Sequence, residues 1–429
     1  MRTKLILDVL NAEKVKQQLL LWSQQFDNVV WLDSNQYDRS HTRYDAILAV
    51  DEFTSIRTSK INAFHKLNKF QRITKDWIFG YITYDIKNDI ELLKSENRDE
   101  LGFDELFFFQ PKKLFLLKGN KLEIQYLKFF EKDVERDLET IQRLNVTKEA
   151  HVNKLTIASR IKKDTYLKKV GTVLDHIHNG DIYEANFCQE FFAEKATINP
   201  VKTYNKLNDI SKPPFATFLK DGSNYLLSAS PERYIYKRGE IVTSQPIKGT
   251  AKRSQDAKED ARLISQLENN DKERSENIMI VDLVRNDLSK TAIKGSVQVK
   301  ELCKVYTFKQ AHQMISTIQS KVDKALPPVE IIKTTFPMGS MTGAPKISAM
   351  KIIEKLEETK RGLYSGCVGY FTPEDNFDFN VVIRSILYNS NNRYVSFSVG
   401  SAITSKSVPL NEYEECMIKA KAMLEVLEN

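Results

Sequence analysis

Cysteine is scarce in this 429-residue chain, and its four copies, Cys188, Cys303, Cys367 and Cys416, stand far apart with no C-x-x-C pair. That spacing argues against a disulfide framework or a cysteine-based zinc site. Long apolar runs are missing too: no stretch of about 18 apolar residues occurs, so nothing reads as a membrane span. The start, Met1-Arg2-Thr3-Lys4, has no apolar leader core, and the expectation is a cytoplasmic protein. There is no internal repeat and no low-complexity segment. Nor is there a basic stripe with interleaved aromatics. The 64 basic and 57 acidic residues are dispersed, and Lys252-Arg253 and Lys360-Arg361 sit among acidic neighbours, which argues against nucleic acid as a partner.

What is present is a globular composition, 41% apolar and 28% charged, in a chain long enough for one large or two modest cores. Residues 1–145 alternate short apolar runs with charged loops, as in Leu5-Ile6-Leu7, Val29-Val30-Trp31-Leu32, Ala46 to Val50 and Trp77 to Tyr81. These predict strands. Glu131 to Lys148, charged and without a strong apolar face, reads as a connector to a second region, 150–429. There Asp164 is the expected cap of a helix running to Gly180. A strand is expected over Ile182 to Phe192, helices over Ser254 to Asn270, Lys272 to Leu288 and Pro345 to Lys360, and a strand over Tyr306 to Ser320. Further strands over Cys367 to Phe371, Phe379 to Tyr388 and Tyr394 to Val399 precede a last helix from Asn411 to Leu427. The order is α+β.

Chemistry is suggested first by Gln245-Pro246-Ile247-Lys248-Gly249-Thr250, which sets one lysine on a tight turn. A hairpin over Tyr234 to Thr243 would bring it close to Glu232 of Ser230-Pro231-Glu232-Arg233. An acid beside an amine suits a displacement in which one protonates a leaving group and the other attacks. Two acidic pairs, Glu273 with Glu276 and Glu412 with Glu415, each lie at i,i+3 on one helical face. Such pairs are ordinarily solvated. Glu276, however, leans on the apolar stripe of Met279, Ile280 and Leu283, where a carboxylate needs a cation, and Mg2+ is the natural candidate. The glycine-rich turn Pro337 to Lys346 runs into a helix start that offers free N–H groups to an anion, and it lacks the Walker A spacing. Arg384, read as lying within a strand, and Lys419 supply cations for a second acid group on the substrate.

In this order the motifs resemble the chorismate-utilising enzymes. Gly180-Asp181-Ile182-Tyr183-Glu184-Ala185-Asn186-Phe187, Ser230-Pro231-Glu232-Arg233, Ile280 to Leu288, Thr342-Gly343-Ala344-Pro345-Lys346 and Glu412-Tyr413-Glu414-Glu415 carry the likeness. Leu32-Asp33-Ser34 and Gly80 to Asp85 are similar to the segment in which related synthases bind tryptophan. The resemblance implies two packed β-sheets flanked by helices, the anthranilate synthase component I-like fold, with Mg2+ on the substrate's ring carboxylate. It makes Glu276 and Glu415 metal ligands, with Glu273 and Glu412 one turn away. Gly249 and Thr250 would meet the ring carboxylate, with Thr342 and Gly343 also in the substrate site. Arg384 and Tyr364 would hold the enolpyruvyl carboxylate, Gly400 would close the pocket, Lys419 would lie beside the metal, and Glu232 would be the general acid.

Single positions separate the family's branches. Water-using members carry lysine where this chain has Glu184, and anthranilate-forming members carry alanine where it has Lys248. Lysine at that place implies amination of chorismate at C4 to aminodeoxychorismate, for p-aminobenzoate and folate synthesis. The family histidine before Met314-Ile315-Ser316-Thr317 is replaced by Gln313, with His312 adjacent. Anthranilate formation and a non-catalytic tryptophan-binding paralogue stand as alternatives. No Cys-His-Glu glutaminase is recognisable, and Cys188 reads as a packed thiol, so a separate glutamine amidotransferase is implied as the source of ammonia. Lys248 must be neutral to attack, yet at an ordinary pKa of about 10.4 only about one lysine in 10³ to 10⁴ is so at pH 7. The expectation is that burial or a neighbouring cation lowers it.

Overall fold

The computed structural model describes residues 1–37, 43–59, 61–145 and 154–429. Two β-sheets share one long strand, Leu106–Lys118, and the reason is local. Leu106 to Phe109 are apolar without interruption and fully buried, as suits a strand covered on both faces. Each such phenylalanine contributes about 1.5–3 kcal/mol. Pro111 then interrupts the ladder, opposite a bulge between Glu52 and Thr54. On one side of Pro111 the strand pairs with Ile78–Ile82; on the other it pairs with Lys121–Leu127. Ala46–Thr58 accompanies it along both halves.

The first sheet continues from Ala46–Thr58 through Asn28–Asp33, Phe215–Asp221, Asn224–Ser230, Ser385–Asn389 and Tyr394–Thr404 to Glu184–Ala193. The second runs from Ile78–Ile82 through Cys367–Phe371, Phe377–Val381, Arg233–Arg238 and Ile241–Ser244 to Ala311–Lys321. Their facing sides form one apolar core that holds Val30, Ala49, Leu219, Phe107, Cys367 and Phe379. A second core lies on the far side of the first sheet, under the helices Ala12–Trp22, Lys163–His178, Pro200–Ser211 and Pro409–Glu428. This is the expected α+β pair of sheets with flanking helices. Residues 1–145 are woven into it: Asn28–Asp33 and Ile78–Ile82 pair directly with strands from beyond residue 200. Among the described residues no helix is long and apolar enough to cross a membrane.

Several elements depart from expectation. Residues 134–143 form a helix, not a linker, because Val134, Leu138 and Ile141 make a narrow stripe that packs on the second core, while Asp137 meets Lys113 at 2.5 Å. Residues 146–148 of the expected connector, and 150–153 of the second region, lie outside the described residues. Asp164 sits inside the first helical turn and caps nothing; Lys162 holds the cap position. The strand expected over 306–320 is a hairpin, Gln298–Thr307 and Ala311–Lys321, turning at Phe308 to Gln310. Arg384 lies outside any strand: the chain breaks between Phe377–Val381 and Ser385–Asn389, and Arg384 takes a φ of 53°.

Gly80 is flanked on both sides by strands, and a Cβ there would run into the Phe107 carbonyl, which belongs to backbone and cannot turn aside. Gly80→Ala is therefore expected to lower stability by about 1–3 kcal/mol, the usual cost of overpacking, read as a reduced urea midpoint with an unchanged slope.

Candidate active site

The site forms where the chain steps between the sheets. One step is Pro231-Glu232, from Asn224–Ser230 to Arg233–Arg238; the other is Val382 to Arg384. The steps are bonded to each other: Val381 N–H donates to the Glu232 carbonyl at 3.0 Å, and Ala229 N–H donates to the Arg384 carbonyl at 3.1 Å. Glu232 is buried beside Ser340, and burial pushes its carboxyl up to about 7 against the opposing pull of the Ser340 hydrogen bond and Lys248. Arg384 is partly buried, its charge is disfavoured by desolvation, and its guanidinium has no ion pair or hydrogen bond to a side chain among the described residues. A desolvated, unpaired guanidinium is a ready anion site.

Lys248 follows from the hairpin Arg233–Arg238 and Ile241–Ser244, paired as anticipated. Its side chain is 13% exposed and donates to Glu184 Oε1 at 3.0 Å. Desolvation favours its neutral form, but Glu184, Glu276 and Glu415 outweigh that and raise the pKa above the ordinary lysine value. The expected lowering is thus reversed in this structure, because the sequence does not disclose that three carboxylates surround one amine. Gly249, at φ 89°, passes so close to Glu273 that a Cβ would lie 3.1 Å from its Oε2. Thr250 beside it is exposed.

The helix Asp271–Ser289, capped by Asn270, carries Glu273 and Glu276; the helix Pro409–Glu428 brings Glu412 and Glu415. Burial pushes Glu276 up to about 7, and burial with Glu415 raises Glu273. Lys419, at 2.6 Å, outweighs desolvation and holds Glu415 below the usual range; it also donates to the Gly400 carbonyl at 2.8 Å. Among the described residues no three His, Cys, Asp or Glu side chains converge into a finished metal cage. Instead Lys272 stands between Glu276 at 3.9 Å and Glu412 at 3.6 Å. Glu276 Oε1 and Glu412 Oε2 are buried without hydrogen-bond partners. Orphaned, desolvated carboxylate oxygens fit a hard divalent cation that takes one or two protein carboxylates and completes its shell with substrate and water.

The glycine-rich turn is spliced to the sheet before its helix begins. Gly339–Met341 makes a 3-10 turn, and Gly343–Ala344 pairs with Ala185 and Glu184. Gly343 has a φ of 154°, and a Cβ on it would strike the Glu184 carbonyl. Thr342 is fully buried with its hydroxyl bonded to the Met338 and Gly339 carbonyls. Tyr364 is buried with its hydroxyl 3.6 Å from Cys188 Sγ, and Gly400 lies against the same thiol. Burial pushes Cys188 up to about 12, the condition of a packed thiol. His312 is taken up by Thr307 and Asp260, each 2.9 Å from a ring nitrogen, whereas the buried Gln313 Oε1 has no partner. Alternation along the strand turns these two neighbours to opposite faces.

The sequence profile of chorismate binding enzymes matches residues 21–425. The chain belongs to that family. It is 40% identical over 280 residues to a probable chloroplastic aminodeoxychorismate synthase of Oryza sativa subsp. japonica, covering 65% of this chain and 31% of that protein. It is 30% identical over 362 residues to aminodeoxychorismate synthase component 1 of Bacillus subtilis, covering 81% and 76%. The chain thus spans about a third of the rice relative's length and about three quarters of the bacterial one's. Its fold matches the crystal structure of anthranilate synthase component I from Streptococcus pneumoniae with a TM-score of 0.78 at 26% identity, over 88% of this chain and 91% of that one.

Two buried residues escaped the sequence reading. Arg361 donates to both Glu357 oxygens, at 2.9 and 2.7 Å, and to the carbonyls of Met341 and Asn186 at 2.6 and 2.7 Å, while Glu357 accepts the Cys188 N–H at 2.9 Å. The pair ties the glycine-rich turn to the strand that bears Glu184. Its one sequence signal is the i,i+4 spacing, seen just past the end of the helix Lys346–Leu356. Arg361→Met leaves Glu357 as an uncompensated buried charge and should cost about 3–5 kcal/mol, measured by urea unfolding.

Proposed function

We propose that this protein is the chorismate-aminating component of an aminodeoxychorismate synthase, forming 4-amino-4-deoxychorismate from chorismate and ammonia. The observation that carries the reading is Lys248 Nζ, 3.0 Å from Glu184, in the same buried pocket as Glu232 with its carboxyl near 7. Acid and amine are thereby pushed to different tasks.

In this reading Arg384 and Tyr364 hold the enolpyruvyl carboxylate, while Gly249, Thr250, Thr342 and Gly343 border the ring. Glu184 takes the proton that frees the Lys248 amine. Lys248 Nζ then bonds to C2 as the C4 oxygen leaves with the Glu232 proton as water. Ammonia next bonds to C4, the C2–N bond to Lys248 breaks, and the proton given up by the new amine returns to Glu232. Two such displacements leave C4 with its original configuration. Glu276 and Glu415, with Glu273 and Glu412 nearby, would hold magnesium, which would supply positive charge to neutralise the ring carboxylate and weaken the field keeping Lys248 charged. Ammonia comes from a separate glutamine amidotransferase, consistent with the buried, unactivated Cys188.

For tryptophan, the pocket lined by Asp33, Ser34, Tyr44, Phe215, Arg233 and Asp378 is the site proposed. Its position supports this, since it is bounded by the Leu32 to Ser34 segment.

Chorismate incubated with Mg2+ and ammonium should yield a non-fluorescent product that becomes p-aminobenzoate only when a lyase is added; fluorescent anthranilate would support the rival activity. Lys248→Ala should reduce this turnover at least about 100-fold, about 2.7 kcal/mol of transition-state stabilisation. Undiminished turnover would remove Lys248 from its role.

The acid must start protonated, so kcat/KM for chorismate should fall as pH rises past about 7, where Glu232 loses its proton. Glu232→Gln should abolish that limb and lower the rate about 10²- to 10⁴-fold.

A further inference from the structure

The strand Arg2–Asp8 pairs among the described residues with Lys121–Leu127 alone, so its other side is an open sheet edge. The backbone groups alternate between the two sides. The Met1 carbonyl accepts from Lys128 N–H at 3.2 Å, and Val9 N–H donates to the Asn120 carbonyl at 2.8 Å, so odd-numbered residues bond inwards. The N–H and C=O groups of Lys4, Ile6 and Asp8 therefore point outwards. Side chains alternate as well. Leu7 and Val9 pack on the second core, whereas on the other face Ile6 is 59% exposed, Lys4 64% and Asp8 73%. Exposed apolar residues stand at both ends: Leu10 follows the strand, and Phe129 lies two residues beyond Leu127, which pairs with Arg2.

We propose that this edge pairs with the same strand of a second copy of the chain, antiparallel and with Ile6 opposite Ile6, so that one sheet runs through a two-fold dimer. Charge selects the register. Centring the pair on Lys4 or Asp8 sets that charge against its own copy, and centring it on Leu5 or Leu7 sets a charge against Ile6. Centring it on Ile6 sets Lys4 opposite Asp8 twice, and it pairs the outward backbone groups of all three residues. Within each copy Lys4 meets Glu123 at 3.6 Å and Asp8 meets Lys121 at 3.8 Å, so the four charges alternate in sign across the junction. Lysine alone guards an edge against pairing; lysine and aspartate placed symmetrically about Ile6 invite it. On the opposite face Leu5 of one copy meets Leu7 of the other. The antiparallel sense also carries Leu10 of one copy to the Arg2 and Phe129 end of the other. Such an isologous contact uses up both edges and closes at two copies.

One strand per copy is a small contact, so sedimentation velocity of the full chain between about 1 and 100 µM in low salt should show monomer passing into dimer. Ile6→Pro deletes an outward N–H and spares the bonds to Lys121–Leu127; it should raise the dissociation constant at least about tenfold. Lys4→Asp should do the same by setting like charges opposite each other, and Lys4→Asp combined with Asp8→Lys should return the constant to within about twofold of wild type. The charge variants, at exposed positions, keep the test open if Ile6→Pro fails to fold. A chain that stays monomeric at every concentration, a dimer indifferent to Ile6→Pro and Lys4→Asp, or a double variant that does not recover would each overturn the pairing.

Discussion

Everything in the candidate site depends on two neighbouring chain crossings between the sheets, held together by the backbone hydrogen bonds Val381 to Glu232 and Ala229 to Arg384. Crossings leave the regular ladder, so their side chains are not committed to either sheet face. They are also pinned at both ends by strands buried in the common core. Glu232 and Arg384 are therefore placed with the precision of a sheet and the orientation of a loop. The positive φ of Arg384 is held by this pairing of crossings.

Electrostatics in the pocket is a balance among unlike neighbours. Five carboxylates, Glu184, Glu273, Glu276, Glu412 and Glu415, meet three lysines, Lys248, Lys272 and Lys419, in largely desolvated space. The lysines do not fully answer the carboxylates, as the raised Glu276 and the orphaned oxygens of Glu276 and Glu412 attest. Lys272 acts as an internal counter-ion to the acidic cluster. A divalent cation would compete with that lysine for the same oxygens, and the lysine, 43% exposed, can swing into water when displaced.

Much of this was legible in the sequence, and the pattern of success is physical. The acidic pairs were readable because i,i+3 spacing on a helix determines a shared face whatever the tertiary structure. The hairpin leading to Lys248 was readable because its turn chemistry is local. What escaped was non-local or backbone-specific. A positive φ at an arginine leaves no compositional trace, so Arg384 read as part of a continuous strand. Val134, Leu138 and Ile141 were diluted by seven charged or polar neighbours in a ten-residue helix. The charge state of Lys248 hangs on Glu184, sixty-four positions away, and on two helices whose convergence only the fold reveals.

The late arrival of outer strands in both sheets bears on how the chain is made. Ile78–Ile82 gains its outer neighbour only when Cys367–Phe371 exists, and Asn224–Ser230 stays an open edge until Ser385–Asn389 has left the ribosome. Pairings of such sequence separation carry a large loop-closure cost and form slowly. During synthesis the outer edge of Ile78–Ile82, with Phe79 and Tyr81, accordingly stays unpaired for most of the elongation time. A nascent chain of this topology is a natural client for holdase chaperones until its C-terminal strands arrive.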